Sequence, residues 1–244
     1  MCSRIVIRKT AVLGLLLFGI QGLLFAQLPL KKPFTMTKHN SHVDYTLTAA
    51  AAEKMGLGEK EVRNLGIHHN QVWVDLGLSV KWAECNMGAK VPSDGGTVYA
   101  WGETAPKNKY DAESSQTWKK RFRAISGKPE YDPACKDWKG KWRMPTDTEI
   151  SELIFECTWK LDTLGQQPGY RVVGKNGQSI FLPFTGRDAS RQSSSQEPVG
   201  LYWSASPHKK NNGEAFSLLF TPQSFSFEWG PRFTGRSIRP VLSE

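Results

Sequence analysis

Cysteine is scarce in this sequence, and its four cysteines exclude several classes of protein. Four cysteines among 244 residues are too few for a disulfide-dense scaffold. They form no C-x-x-C motif, which excludes a zinc ribbon and a thioredoxin-type redox site. The sequence also lacks a G-x-x-x-x-G-K-[ST] phosphate loop and a G-x-S-x-G nucleophile elbow. No internal repeat of roughly 20–50 residues is visible.

Apolar and aromatic residues, by contrast, are abundant enough to build a core. The apolar fraction of 39% and the nine tryptophans exclude an intrinsically disordered chain. At roughly 100–200 residues per domain, the length allows one sizeable domain with additional segments, or two small domains.

The one long apolar run occupies residues 11–25, close to the N-terminus. It follows a basic start with Arg4, Arg8 and Lys9, and the small residue Ala26 ends it. This pattern predicts a signal peptide over residues 1–26. The alternative is a membrane anchor, but the run is shorter than the ~20 residues that span a bilayer. We therefore expect export to the periplasm, the outer surface or the medium, with no transmembrane span in the mature chain.

The charge of the expected mature chain is moderately basic. Removing residues 1–26 removes three cations and no anions, which lowers the formal net charge from +9 to +6. Such a charge favours contact with anionic surfaces such as lipopolysaccharide, acidic glycans or phospholipid headgroups. A plain solvated surface is the alternative, and export argues against nucleic acid as a partner.

Three cysteines remain after cleavage: Cys85, Cys135 and Cys157. An odd count permits one disulfide and one thiol. The pairing that we consider first is Cys85 with Cys157, and three thiols are the alternative.

The N-terminal part contains four histidines: His39, His42, His68 and His69. They have no regular i, i+4 spacing, so we expect them to be loop residues and expect no metal site.

Residues 27–71 are weakly patterned, and we expect a tether with short helices there. From residue 72 onward, short β-like runs alternate with glycines. Thr146 and Glu149 form a capping box that opens a helix over about residues 146–157, with an apolar face at Ile150, Leu153 and Ile154. Asn176-Gly177 predicts a hairpin. Further strands are expected at 201–205, 214–220, 224–228 and 237–241, which together give an α+β fold.

An ordered set of motifs resembles a known family. The motifs are VDLGLSVKWAECNMGA (74–89), YAWGE (99–103), WKGKWRMPTDTEISELIFECTW (138–159), GYRVVGKNGQSIFLPFTG (169–186), LYWSAS (201–206), AFSLLF (215–220) and SIRPV (237–241). Together they resemble the Fibrobacter succinogenes major paralogous domain, found in exported proteins of Bacteroidetes and Fibrobacteres, over residues 72–242. The resemblance implies a fold distantly similar to C-type lectins and formylglycine-generating enzymes, with short antiparallel strands and long loops.

Two activities of those distant folds do not fit the residues. In calcium-dependent lectins the ligand loops supply side-chain oxygens, whereas this chain has Val199 and Ala205 at the nearest positions. Formylglycine-generating enzymes use a cysteine pair in the C-terminal half, and no cysteine follows Cys157. We therefore expect no cofactor, no metal and no enzymatic activity.

The resemblance implies a binding module whose ligand, a glycan or an envelope or extracellular protein, meets the C-terminal loops. We predict binding residues among the arginines and aromatics there: Arg187, Arg191, Tyr202, Trp229 and Arg232. Aromatic and arginine side chains often carry binding energy. The alternative for the aromatics is a place in the core, and for Arg143 an ion pair with Glu103 or Glu149 competes with a ligand contact. A structural or adhesive surface component is the alternative function.

Overall fold

The structure is a computed structural model that describes residues 34–39, 42–47, 64–186 and 198–243. The expected signal peptide and the helices expected within residues 48–63 lie outside the described residues. Two of the predicted binding residues, Arg187 and Arg191, also lie outside them.

The largest sheet has seven antiparallel strands and combines both ends of the described chain. Its strands are β1 (Phe34–His39), β2 (His42–Leu47), β3 (Leu65–His68), β4 (Gln71–Val74), β5 (Lys81–Ala83), β6 (Trp142–Arg143) and the last strand, β13 (Val241–Leu242). Their order is β1-β2-β3-β4-β5-β13-β6. Residues 34–39, 42–47 and 65–68 are thus strands where a tether was expected, and the sheet begins before residue 72.

The last strand, β13, lies inside this sheet although Pro240 directly precedes it. It pairs with β5 on one side and with β6 on the other. The strand begins at Val241, after the proline, so the missing N–H removes no bond from the ladder.

Two further sheets have three strands each. One contains β7 (Thr158–Leu164), β8 (Gln167–Val173) and β9 (Ser179–Pro183), and the other contains β10 (Gly200–Pro207), β11 (Glu214–Thr221) and β12 (Ser224–Pro231). The hairpin predicted at Asn176-Gly177 is confirmed, because β8 and β9 pair across it and Gly177 has a φ of +85°. Residues 98–101 contribute a single bridge, from Tyr99 to Arg236.

The described residues contain two helices, α1 (Pro133–Trp138) and α2 (Asp147–Glu156). The predicted capping box of α2 is confirmed: Thr146 Oγ1 accepts from Glu149 N at 3.2 Å, and Glu149 Oε2 accepts from Thr146 N at 2.7 Å. The same carboxylate binds Arg143, whose Nη1 lies 2.9 Å from Oε2. Arg143 therefore forms the structural ion pair with Glu149 rather than presenting a ligand contact.

The core consists of two clusters of buried side chains. In the first, Ile150, Leu153 and Ile154 of α2 pack with apolar residues of all three sheets. The second is rich in tryptophan and includes Trp101, Trp142 and Trp203. Most of the regular structure of the described residues is antiparallel sheet, and α2 packs on the sheet of β10, β11 and β12. The expectation of a helix on antiparallel sheet is therefore confirmed.

The expected disulfide between Cys85 and Cys157 is not present. Both residues, like Cys135, are thiols. Cys85 is buried just beyond the end of β5, whereas Cys157 caps the C-terminus of α2 and packs against the first core cluster. Burial raises the pKa of the Cys157 thiol to about 11, with the neighbouring Glu152 and Glu156 carboxylates acting in the same direction. Cys157 is therefore a poor nucleophile at neutral pH.

We predict that Glu84 makes the fold less stable as the pH rises. Loss of hydration raises its pKa from 4.5 to about 7, although the charge of Arg239 acts in the opposite direction. Because the folded state binds this proton more tightly than the unfolded state, the stabilisation is complete below pH 4.5 and is lost as the pH rises through 7. Glu84→Gln should match the wild type in urea unfolding at pH 4.5 and exceed it by up to about 3 kcal/mol at pH 8. Parallel pH profiles of the two proteins would contradict this assignment.

Candidate functional site

Arg232 lies in the interior and cannot touch a ligand directly. Its guanidinium stacks over Trp101, with 4.4 Å between Cζ and the ring centroid, and is fully buried. Nη1 donates to the carbonyl of Lys120 at 2.8 Å, and Nε donates to the carbonyl of Glu214 at 3.0 Å. Burial lowers its pKa to about 10. The prediction of a ligand contact was wrong here: Arg232 holds two loops together.

Tyr202 is a second predicted binding residue that belongs to the core. Its ring stacks on Phe220 at a centroid distance of 5.6 Å. The hydroxyl donates to the carbonyl of Pro183 at 2.8 Å and accepts from Asn86 Nδ2 at 3.2 Å. Burial raises its pKa to about 12. Because ring and hydroxyl are both engaged inside the protein, this prediction was also wrong.

Trp229 is exposed and belongs to a row of three aromatic side chains on β12. Phe225, Phe227 and Trp229 are 37%, 48% and 39% exposed. They occupy alternate positions of the strand, so all three project from one face of the sheet at intervals of about 7 Å. We call these three side chains the aromatic stripe.

The pairing of β12 with β11 explains why the stripe is exposed. Phe225, Phe227 and Trp229 lie opposite Phe220, Leu218 and Phe216, and those three partners are buried in the first core cluster. Because β12 is the outer strand of its sheet, its apolar face extends beyond the side chains that cover β11. The stripe therefore lies at the edge of the first core cluster, and one side of it is exposed to solvent.

Ring contacts hold the stripe at both ends and in the middle. Trp159 of β7 stacks on Phe225 at 4.8 Å with 13° between the planes, and Phe216 stacks on Phe227 at 5.0 Å. At the other end, the ring of His208 lies 4.4 Å from that of Trp229. These contacts reduce the rotamer freedom that the three side chains would lose on binding a ligand.

A cationic loop lies beyond the Trp229 end of the stripe. Residues 118–123, which we call the basic loop, read WKKRFR, and Lys119, Lys120, Arg121 and Arg123 are all exposed. The sequence contains no Asp or Glu between residues 114 and 129. Within the part of the chain that the structure describes, none of these four cations forms an ion pair.

A connecting loop joins the stripe to the basic loop. It runs from His208, which contacts Trp229, to Gly213, whose carbonyl accepts from Arg232 N at 2.8 Å. The Trp118 ring covers Gly213 so closely that a Cβ there would lie 2.7 Å from it. Lys209 and Lys210 are exposed in between. The aromatic stripe, these two lysines and the basic loop form a surface that we call the cationic–aromatic face.

A groove of about 590 Å³ beside α2 is an alternative site. Phe155, 73% exposed, forms part of its wall, together with Ser79, Glu152, Glu156 and Lys175. Its polar groups already bind one another: Glu152 accepts from Ser79 N at 2.9 Å, and Lys175 pairs with Glu156. A ligand there would have to displace these bonds, whereas the cationic–aromatic face offers unpaired cations.

The sequence pointed to one member of this face and missed others. Trp229 is the predicted binding residue that the structure describes at the surface. The period of two in F-S-F-E-W could have identified Phe225 and Phe227 as its companions, because the intervening Ser226 and Glu228 fall on the opposite face. Four cations in the five residues 119–123 were equally visible. Nothing in the sequence placed them near β12.

Comparison with known proteins identifies no relative. No family model matches the chain, and no curated protein and no solved structure is detectably similar to it. Among the described residues, no helix is both long enough and apolar enough to cross a bilayer. The same residues contain no group of three or more His, Cys, Asp or Glu side chains placed to hold a metal ion.

Proposed function

We propose that this chain is an exported, non-catalytic binding module that recognises a glycan or protein ligand through the cationic–aromatic face. In this proposal the chain is a member of the Fibrobacter succinogenes major paralogous family with a lectin-like fold. The ordered motifs of residues 74–241 support the family assignment, and the antiparallel sheets with few helices are compatible with it.

The observation that carries the proposal is the aromatic stripe. Three large rings exposed side by side leave apolar area in water, at a cost of about 25 cal/mol per Å² that a ligand would recover. Rings that project from a paired strand are also fixed in position, and rigid aromatic side chains supply contact area at low entropic cost. Such a row suits the apolar faces of sugar rings or an extended peptide segment.

The position of the stripe relative to the loops supports the same proposal. In lectin-like folds the long loops before the terminal strands face the ligand, and the loop of residues 208–213 flanks the stripe at Trp229. At the opposite end, Phe225 pairs with Phe220, which pairs with Gly200 at the start of β10.

We expect Phe227→Ala and Trp229→Ala to weaken binding without unfolding the protein. Purified residues 27–244 would first be screened on a glycan array, and the tightest glycan titrated by calorimetry. Each truncation should cost about 1–4 kcal/mol of binding free energy, as for central interface residues. The matched control is Phe155→Ala, which removes an even more exposed ring, 73% exposed, from α2 and should leave the affinity unchanged.

Three outcomes would contradict the proposed function. One is the absence of any ligand on both the array and a pull-down with envelope extract. A second is an equal loss of affinity in the Phe155→Ala control. The third is that the wild type sediments as a dimer whereas Phe227→Ala sediments as a monomer, because the stripe would then be a self-association interface.

A further inference from the structure

We infer that the ligand of the cationic–aromatic face is an acidic glycan, a chain of sugars that carry carboxylates. The sugar faces pack on the aromatic stripe while the carboxylates meet the basic loop and Lys209 and Lys210. This inference rests on the proposed function and narrows it to one class of ligand.

Charge complementarity is the first argument. Lys119, Lys120, Arg121 and Arg123 are four exposed cations within five residues, with no ion pair among the described residues and no acid between residues 114 and 129. Like charges at this density repel one another, because neighbouring residues of a chain lie closer together than the ~8 Å screening length of physiological salt. A polyanion relieves the repulsion, and several carboxylates along one chain do so together.

The basic loop is also fixed in place before any ligand arrives. Arg232, buried over Trp101, donates to the carbonyl of Lys120 inside the loop. Phe122 packs edge-on against Trp101 at 5.7 Å, and Trp118 packs against Phe233 at 4.7 Å. Trp118 and Phe122, which flank Lys119, Lys120 and Arg121, therefore anchor the loop while the cations are exposed. A loop held in this way loses little entropy on binding.

The backbone of the loop supplies an independent observation. Lys119 has a φ of +58°, in the left-handed region that residues with a Cβ adopt only at an energetic cost. Backbone strain of this kind is often retained at functional sites.

The stripe distinguishes a glycan from other polyanions. A membrane surface can take aromatic rings as well as cations, but these three rings pack against Trp159, Phe216 and His208 and are less than half exposed, which leaves little of them to insert between lipid headgroups. A single-stranded nucleic acid could use both features, but the expected signal peptide directs the chain away from nucleic acid. An acidic glycan uses the rings and the cations together, along one continuous surface.

Polygalacturonate and its fully methyl-esterified form make a matched pair of probes, because they share the same sugar backbone and differ in whether each carboxyl group is a charged carboxylate or a neutral methyl ester. Binding to residues 27–244 would be measured by calorimetry at 50 and 300 mM NaCl. We expect polygalacturonate to bind at least about tenfold more tightly than the methyl ester at low salt, and this ratio to fall at high salt. An oligonucleotide, dT20, and vesicles of anionic phospholipid would be titrated in parallel.

Two variants of equal net charge test whether the basic loop is the part of the surface that binds the carboxylates. One variant replaces Lys119, Lys120, Arg121 and Arg123 by Gln, and the control replaces the exposed Lys90, Lys139, Lys141 and Lys160 by Gln, so the net charge changes equally. We expect the first variant to bind polygalacturonate about as weakly as the methyl ester and the control to stay within about twofold of the wild type. Both should keep the melting temperature of the wild type.

The outcomes separate this inference from the proposed function. Equal affinity for the two polymers would overturn the acidic specificity and leave the glycan-binding function intact, provided that Trp229→Ala still weakens both. Equal losses in the two Gln variants would overturn the basic loop as the site. Tighter binding of dT20 or vesicles would overturn the choice of ligand class. No binding to any glycan would refute the proposed function itself.

Discussion

Replacing Asp132 by alanine is expected to lower the free energy of unfolding by about 3–5 kcal/mol, the range for breaking a buried charged network. Its carboxylate is fully buried and accepts four backbone N–H bonds. Oδ1 accepts from Ala134 and Cys135 at the start of α1, at 3.0 and 3.1 Å. Oδ2 accepts from Gly127 and Met144, each at 2.8 Å. Alanine would leave all four donors without a partner in the interior.

Urea unfolding of the purified variant measures this effect. The control is Asp137→Ala, which removes an exposed carboxylate from the same helix and should change the unfolding free energy by less than about 0.5 kcal/mol. Asp132→Asn, which keeps one acceptor oxygen, should fall between the two. A loss below about 1 kcal/mol for Asp132→Ala would show that α1, the Gly127 turn and the segment after β6 do not depend on one shared carboxylate.

Leu153→Ala should cost about 2–5 kcal/mol, because it opens a cavity in the first core cluster. Leu153 has no exposed surface and lies on the face of α2 that packs against the sheets. Two residues further along the helix, Phe155 points outward, so Phe155→Ala tests helix propensity without the cavity. The control should remain within about 0.5 kcal/mol of the wild type. Equal effects of the two truncations in urea unfolding would contradict the docking of α2.

The sequence predicted the helices and turns whose formation depends on residues close together in the chain. The capping box at Thr146 and Glu149 and the apolar spacing of Ile150, Leu153 and Ile154 predicted α2. The Asn176-Gly177 pair predicted the β8–β9 hairpin, since few other dipeptides adopt that turn without strain. Helix α1 was not predicted because it has only six residues. Its N-cap residue, Asp132, also accepts a hydrogen bond from the distant Met144, so the role of Asp132 could not be seen from the local sequence alone.

The candidate site was harder to predict because it depends on contacts between distant segments. Arg232 and Tyr202 were predicted to bind a ligand because arginine and aromatic side chains often carry binding energy. Their burial follows from Trp101 and Phe220, which no local pattern links to them. The cations of the basic loop are easily seen in the sequence. The position of the loop beside β12, however, depends on the contacts of Arg232, Trp118 and Gly213, which the sequence does not reveal.

Arg232 also separates two kinds of effect that a mutation near this face could have. Its truncation would release the carbonyls of Lys120 and Glu214 and leave Trp101 uncovered. A loss of binding in such a variant would follow from a displaced loop rather than from a lost contact. The exposed residues Phe227, Trp229 and Arg121 are therefore the informative positions, since their side chains can change without removing a buried bond.

Hydrogen exchange of residues 27–244, with and without saturating oligomers of polygalacturonate, tests the central claim most directly. It follows backbone amides, so it locates the ligand without any mutation. The cationic–aromatic face predicts slower exchange at the amides of β12 and of residues 117–123 on binding, with the groove beside α2 unchanged. Slower exchange confined to residues 77–79 and 151–156, or an unchanged pattern at saturation, would contradict it.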